Sequence, residues 1–69
     1  MIVFDESMDR YSLDIRRILN SDDKPKAVGF LQWHPERQPR IIIRDSVQYL
    51  TLAELETCVA ELRRRIEKQ

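Results

Sequence analysis

The segment LTLAELETCVAELRRRIEK, residues 50–68, carries the strongest structural signal in the chain. Thr51 and Glu54 have the spacing of a capping box, in which the threonine hydroxyl accepts from the Glu54 amide and the glutamate carboxylate accepts from the Thr51 amide. Leu50 and Leu55 flank this box at the spacing of a hydrophobic staple, which fixes the same helix start a second time. The sequence therefore predicts a helix over residues 52–68.

The apolar residues of this helix recur every three or four positions, so they fall on one narrow stripe. The stripe consists of Leu52, Leu55, Val59, Leu62 and Ile66, with Cys58 at its border. Basic residues follow in the last turns, where cations interact favourably with the helix dipole. The pattern predicts a helix that packs through one side, with Cys58 as a small buried residue.

Two β-rich segments lie upstream, at residues 27–33 and 40–44, and residues 34–39 between them contain two prolines, which cannot continue a ladder. This arrangement predicts a hairpin. Ile41, Ile42 and Ile43 are consecutive, so both faces of their strand are apolar, which is typical of a central strand or of one covered on both sides. A further short strand is expected at residues 47–49, directly before the helix cap.

Residues 8–19 fit two structures. Tyr11, Leu13 and Ile15 alternate with polar residues, as in a half-buried strand, whereas a helix would align a different apolar set: Met8, Tyr11, Ile15, Ile18 and Leu19. We favour the strand because the helix would leave Leu13 in water, and residues 20–25 are expected to form a loop. The sequence thus predicts one α+β domain, residues 1–69, with an antiparallel three- or four-stranded sheet followed by a C-terminal amphipathic helix.

Composition argues against several function classes. Twelve basic and twelve acidic side chains cancel, which is not typical of a strongly basic nucleic-acid or membrane-surface protein. A single cysteine excludes an internal disulfide and a cysteine-rich zinc site, and a single glycine excludes a glycine-rich phosphate loop. With no leader-like or membrane-spanning segment, we expect a cytoplasmic protein.

Candidate catalytic groups are few. His34 is the single histidine and lies at the expected hairpin tip, and the neighbouring carboxylates Asp5-Glu6 and Asp22-Asp23 are typical of solvated loops rather than of convergent acid–base pairs. We therefore expect no catalytic residues, no metal site and no cofactor, and a protein that is not an enzyme.

Protein binding is the function that the residue types favour. So small a chain has more apolar strand surface than one narrow helix stripe covers, which predicts a homodimer. We assign the following residues to the core or the dimer interface: Ile41, Ile42, Ile43, Leu55, Val59, Leu62 and Ile66. Aromatic and arginine side chains are enriched among binding hot spots, and the partner-binding candidates are Arg16, Arg17, Phe30, Trp33, Tyr49, Arg63, Arg64 and Arg65.

The alternative partner is single-stranded nucleic acid. Residues 24–49 contain five basic and two acidic side chains, together with Phe30, Trp33 and Tyr49. Aromatic side chains on a sheet can stack on bases while neighbouring cations hold phosphates. This segment keeps a nucleic-acid interface open as the second hypothesis.

Two resemblances bear on these hypotheses. Leu31-Gln32-Trp33, Pro39, Ile41, Arg44 and Leu50-Thr51 before a C-terminal helix resemble the positive-cofactor family of dimeric single-stranded-DNA-binding proteins, over residues 11–68. That resemblance implies a dimeric sheet-and-helix fold that binds single-stranded DNA. In its size, near neutrality and lack of a catalytic motif, the chain is also similar to small phage-encoded inhibitors of host proteins, including anti-quorum-sensing anti-activators. This similarity implies inhibition by occupying another protein's surface.

Overall fold

A computed structural model of the chain describes residues 1–20, 22 and 24–68. Within them, four strands precede one helix: β1 (Ile2–Glu6), β2 (Ser12–Arg17), β3 (Lys26–Gln32), β4 (Arg40–Ile43) and α1 (Leu52–Glu67). Each strand pairs antiparallel with the next, so the sheet order is β1-β2-β3-β4. The predicted α+β fold is confirmed. In the described ranges, no helix is both long enough and apolar enough to cross a bilayer.

The ambiguous first third of the chain forms strands. Leu13 and Ile15 on β2 are each 1% exposed, so the alternating pattern reflects a buried strand face, as we predicted. β1 pairs with five of the six residues of β2, from Ile2 opposite Arg17 to Glu6 opposite Leu13. β1 was not predicted from the sequence, because Asp5 and Glu6 interrupt its apolar run. As an edge strand, β1 can expose these acidic residues to water.

The end of the sheet differs from the prediction in two respects. Residues 47–49 do not form a strand, because the Val47 amide instead donates to the Arg44 carbonyl at 3.0 Å and closes a turn. β4 is neither central nor covered on both sides, since it forms the outer edge of the sheet and Ile43 is 42% exposed. The predicted hairpin between β3 and β4 is confirmed.

The core lies between one face of the sheet and α1. Its buried apolar residues are Leu13, Ile15, Val28, Leu31, Trp33, Cys58 and Leu62. Trp33 follows directly after β3 and is held there by a hydrogen bond from its amide to the Tyr11 carbonyl at 3.0 Å. Cys58 is fully buried, as predicted.

Gly29 permits a close approach of β3 and β4. The β2–β3 register shifts beside Ile15, where Val28 is the additional residue of a bulge. A Cβ atom added to Gly29 would collide with the main-chain carbonyl of Ile42. Pairing continues past the bulge, because the Arg44 amide donates to the Val28 carbonyl at 2.9 Å. The absence of a side chain at position 29 therefore keeps β4 against the sheet.

The helix begins where the capping box predicts. The Glu54 amide donates to Thr51 Oγ1 at 3.1 Å, and the Thr51 amide donates to Glu54 Oε1 at 2.9 Å. Both bonds satisfy amides that would otherwise lack a partner at a helix N-terminus.

Candidate protein-interaction surfaces

Arg17 is built into the framework instead of being free for a partner. Its Nε donates to Glu54 Oε2 at 2.7 Å and its Nη2 donates to Glu54 Oε1 at 2.8 Å, a bidentate pair that joins β2 to the start of α1. The hydrogen bond from Arg17, together with the bond from Thr51, lowers the pKa of Glu54 to about 2. Arg17 also donates to the Tyr49 carbonyl at 3.0 Å.

Arg65 and Trp33 form a second framework contact. Arg65 lies 3.3 Å from Glu61 Oε2 and 3.1 Å from Glu6 Oε1, so it links α1 to β1. Its guanidinium carbon lies 6.0 Å from the centroid of the Trp33 ring, and Trp33 is 5% exposed. Partial burial acts to lower the pKa of Arg65, but the bonds to Glu61 and Glu6 outweigh it and raise that pKa.

These contacts correct three of the proposed partner-binding residues. Trp33 is a core residue, and Arg17 and Arg65 hold the helix on the sheet. Sequence patterns could not reveal this, because Glu54, which binds Arg17, and Glu6 and Trp33, which contact Arg65, lie far from the two arginines in sequence.

The apolar stripe of α1 is displaced from the line of contact with the sheet. Cys58 and Leu62 are the helix residues that are buried. At 3.6 residues per turn, Glu54, Glu61 and Arg65 project from the flank that contacts β1 and β2. Leu52 and Val59 project from the opposite flank, on the β4 side, where they are 73% and 38% exposed.

An apolar surface therefore extends from α1 toward β4. Its residues are Leu52, Leu55, Val59 and Ile66 on α1 and Ile41 and Ile43 on β4, and we call it the α1–β4 surface. Ile66 and Ile41 are half-buried, because they also pack against the core. Three of these side chains are exposed to solvent: those of Leu52, Val59 and Ile43. Val59 lies outside the core of one copy, so of its two predicted positions, core or dimer interface, the dimer interface stays a prediction.

The other face of the sheet carries no covering element among the described residues. Strand alternation and register place Val3, Phe30 and Ile42 on it, and all three are half-buried. Phe30 lies opposite Ile42 on one side and opposite Asp14 on the other. We call this face, with its polar residues Asp5, Asp14, Arg16 and Arg40, the open sheet face.

Charges on the open sheet face are partly balanced. Asp5 lies directly opposite Asp14, a like-charge pair that is unfavourable by itself. Arg16 offsets it, because its Nε lies 3.0 Å from Asp5 Oδ2 in an ion pair that lacks hydrogen-bond alignment. Arg40 donates to Gln32 Oε1 at 2.8 Å. Of the predicted binding residues, Arg16 and Phe30 thus share one surface.

The remaining predicted binding residues are separated from that surface. Tyr49 is 66% exposed and, with Leu19 and Val47, lines an open cavity of about 350 Å³ at the end of the sheet. Leu19 is 67% exposed. Its exposure on this surface was not predicted, because an apolar residue before a loop resembles the end of a strand. Arg63 and Arg64 lie exposed on α1, where Arg64 Nε is 3.7 Å from Glu61 Oε2.

The side chains considered for chemistry occupy structural or exposed positions. His34 is exposed, and its ring meets Tyr11 edge-on at 5.1 Å. Burial raises the pKa of the Cys58 thiol, and the nearby charge of Glu54 adds to this effect. Asp22 is exposed, and Asp23 lies outside the described residues. In the described ranges, no three His, Cys, Asp or Glu side chains converge as metal ligands would.

Comparison of the chain with protein-family models, with curated proteins and with solved structures finds no match.

Proposed function

We propose that this chain is a non-catalytic protein-binding module that acts as a homodimer and modulates a regulatory protein by occupying part of its surface. The observation that carries the proposal is that one copy leaves two apolar surfaces uncovered. They lie on opposite faces of the sheet, so each can engage a different protein at the same time.

The composition of the two surfaces assigns an occupant to each. The α1–β4 surface is aliphatic, as the centre of a homodimer interface usually is. The open sheet face has an aromatic and aliphatic centre, Phe30 and Ile42, with charged residues of both signs around it. An apolar centre with a polar rim is typical of an interface between proteins that also exist apart, so this face is the site for the regulatory partner.

Nucleic acid has weaker support as the partner. Trp33, the largest aromatic side chain, is buried and cannot stack on a base. Asp5 and Asp14 share the open sheet face with Phe30 and would repel phosphates. These positions favour a protein surface over a single strand of nucleic acid.

Site-specific photocrosslinking tests the proposal. A photoreactive phenylalanine analogue replaces Phe30 in one variant and Glu36, which is exposed in the β3–β4 connection, in a control variant. In native host extract, we expect the position-30 variant to give one adduct of discrete mass and the control to give none. The adduct's protein component is then purified and its affinity measured for the unmodified chain and for Phe30→Lys.

We expect Phe30→Lys to weaken this complex at least about tenfold, because truncating or charging a central aromatic residue removes a hot spot. Two results would contradict the proposal. One is equal affinity of both chains for the captured protein. The other is an adduct with nucleic acid whose binding weakens steeply with salt, which would establish the alternative function.

A further inference from the structure

The order of residues on α1 indicates how two copies meet. Leu52, Leu55, Val59, Leu62 and Ile66 follow the alternating three- and four-residue spacing of a two-heptad coiled-coil seam. In one copy the sheet covers Leu62, while Leu52 and Val59 stay exposed. We propose that α1 pairs antiparallel with α1 of a second copy about a two-fold axis at Val59; this inference rests on the homodimer of the proposed function.

Charge complementarity selects a second copy as the occupant. Glu56 lies three residues before Val59 and Arg63 lies four residues after it, and both flank the exposed part of the stripe. Among the described residues, neither has an ion-pair partner within the chain. An antiparallel pair centred on Val59 brings Glu56 of each copy beside Arg63 of the other, which forms two equivalent ion pairs.

A parallel arrangement would not use these charges. With both helices in the same direction and register, each Glu56 approaches the other copy's Glu56 instead of an arginine. The antiparallel register also sets Leu52 against Ile66 of the second copy, so the apolar residues at the two ends of the seam cover each other. Both the charged and the apolar residues are therefore self-complementary in one orientation.

The dimensions of the chain are sufficient for such an interface. A standard interface buries roughly 800 Å² per partner, about 15% of the 5391 Å² surface of one copy. The 16 residues of α1 span about 24 Å, and exposed Ile43 extends the apolar surface onto β4. Because α1 is already ordered against its own sheet, pairing does not require helix nucleation.

Charge exchange tests this arrangement. The dimer dissociation constant is measured by sedimentation equilibrium for the unmodified chain, Glu56→Arg, Arg63→Glu and the double variant. We expect each single variant to weaken the dimer about tenfold, since two attractive contacts become repulsive ones. The double variant should return to within about threefold of the unmodified chain, because the pairs re-form with reversed signs.

The control is Arg64→Glu, which makes the same charge change as Arg63→Glu on the side of α1 away from the stripe and loses only the 3.7 Å ion pair with Glu61 of the same copy. It should change the dissociation constant less than about threefold, and far-UV circular dichroism should show all variants folded, since the substituted residues are exposed. A double variant weaker than either single variant would overturn the antiparallel register while leaving the homodimer intact. An unmodified chain that stays monomeric would refute the homodimer itself.

Disulfide formation gives an independent measurement. Val59→Cys places two thiols at the proposed two-fold axis, while the natural Cys58 is buried. Under mild oxidation, we expect Val59→Cys to form a covalent dimer rapidly and Arg64→Cys to form one slowly. Equal rates for the two variants would contradict an axis at Val59.

Discussion

Replacing Glu54 by glutamine isolates the charge that joins α1 to the sheet. Glutamine can still accept a hydrogen bond from the Thr51 amide, so the capping box is retained. The ion pair with Arg17, whose shortest contact is 2.7 Å, loses its negative partner. The substitution therefore removes the electrostatic contact between β2 and the helix start while leaving the local helix signal in place.

The pKa of Glu54 gives the magnitude and the sign of the effect. The hydrogen bond from Arg17, together with the bonds from Thr51, lowers that pKa from 4.5 to about 2, and each pKa unit corresponds to about 1.4 kcal/mol. An upper value of roughly 3 kcal/mol follows for the Arg17 and Thr51 contacts together. The part that depends on Arg17 is about 2 kcal/mol, because glutamine can retain the Thr51 bond and solvent screens the partly exposed ion pair. Because the folded-state pKa is depressed, this stability is present above the unfolded-state pKa and is lost as pH falls from about 5 toward 2.

Urea unfolding at a series of pH values, at one fixed protein concentration, measures this contribution. We expect the unmodified chain to exceed Glu54→Gln in free energy of unfolding by about 2 kcal/mol at neutral pH, with the difference shrinking toward pH 2. Glu36→Gln, at an exposed position in the β3–β4 connection, is the control and should show no such pH-dependent difference. A difference between the unmodified chain and Glu54→Gln that stays constant from pH 7 to pH 2 would refute the reasoning.

Three further substitutions test the packing, each by urea unfolding at matched concentration. Gly29→Ala should cost about 1–3 kcal/mol and accelerate hydrogen exchange of the Arg44 amide, because the added methyl group displaces β4; unchanged exchange would contradict this close approach. Trp33→Ala should cost about 3–5 kcal/mol as a buried aromatic residue, and a loss below about 1 kcal/mol would place its side chain outside the core. Thr51→Ala should cost about 1 kcal/mol while Thr51→Ser costs less, and equal losses would mean that the hydroxyl does not cap α1.

Local signals predicted the parts of the fold that local contacts determine. The start of α1 follows from hydrogen bonds between Thr51 and Glu54, which are three residues apart. The strand character of residues 12–17 follows from the alternation of Leu13 and Ile15 with polar residues. In both cases the residues that cause the structure lie within the element or next to it, so the sequence is sufficient to predict it.

Features that depend on distant residues were not predicted. β1 ends in acidic residues that a sheet edge tolerates, and its partner strand begins only after a turn. Arg17 resembled a free binding residue because its carboxylate partner is Glu54, on another element. The ion pairs of Glu54 and Arg65 with distant residues fix one flank of α1 against β1 and β2, and this turns the apolar stripe toward β4. The exposure of Leu52 follows from these long-range contacts, so it could not be predicted from the helix sequence.

The central claim is that the apolar surface between α1 and β4 is covered by protein in solution. Sedimentation equilibrium of the unmodified chain over a wide concentration range tests it most directly. We predict a species with twice the 8.3 kDa mass of one chain, and its dissociation to single chains when Val59 is replaced by lysine. A mass of one chain at every concentration, with the Val59 methyl groups open to a soluble paramagnetic probe, would contradict the claim.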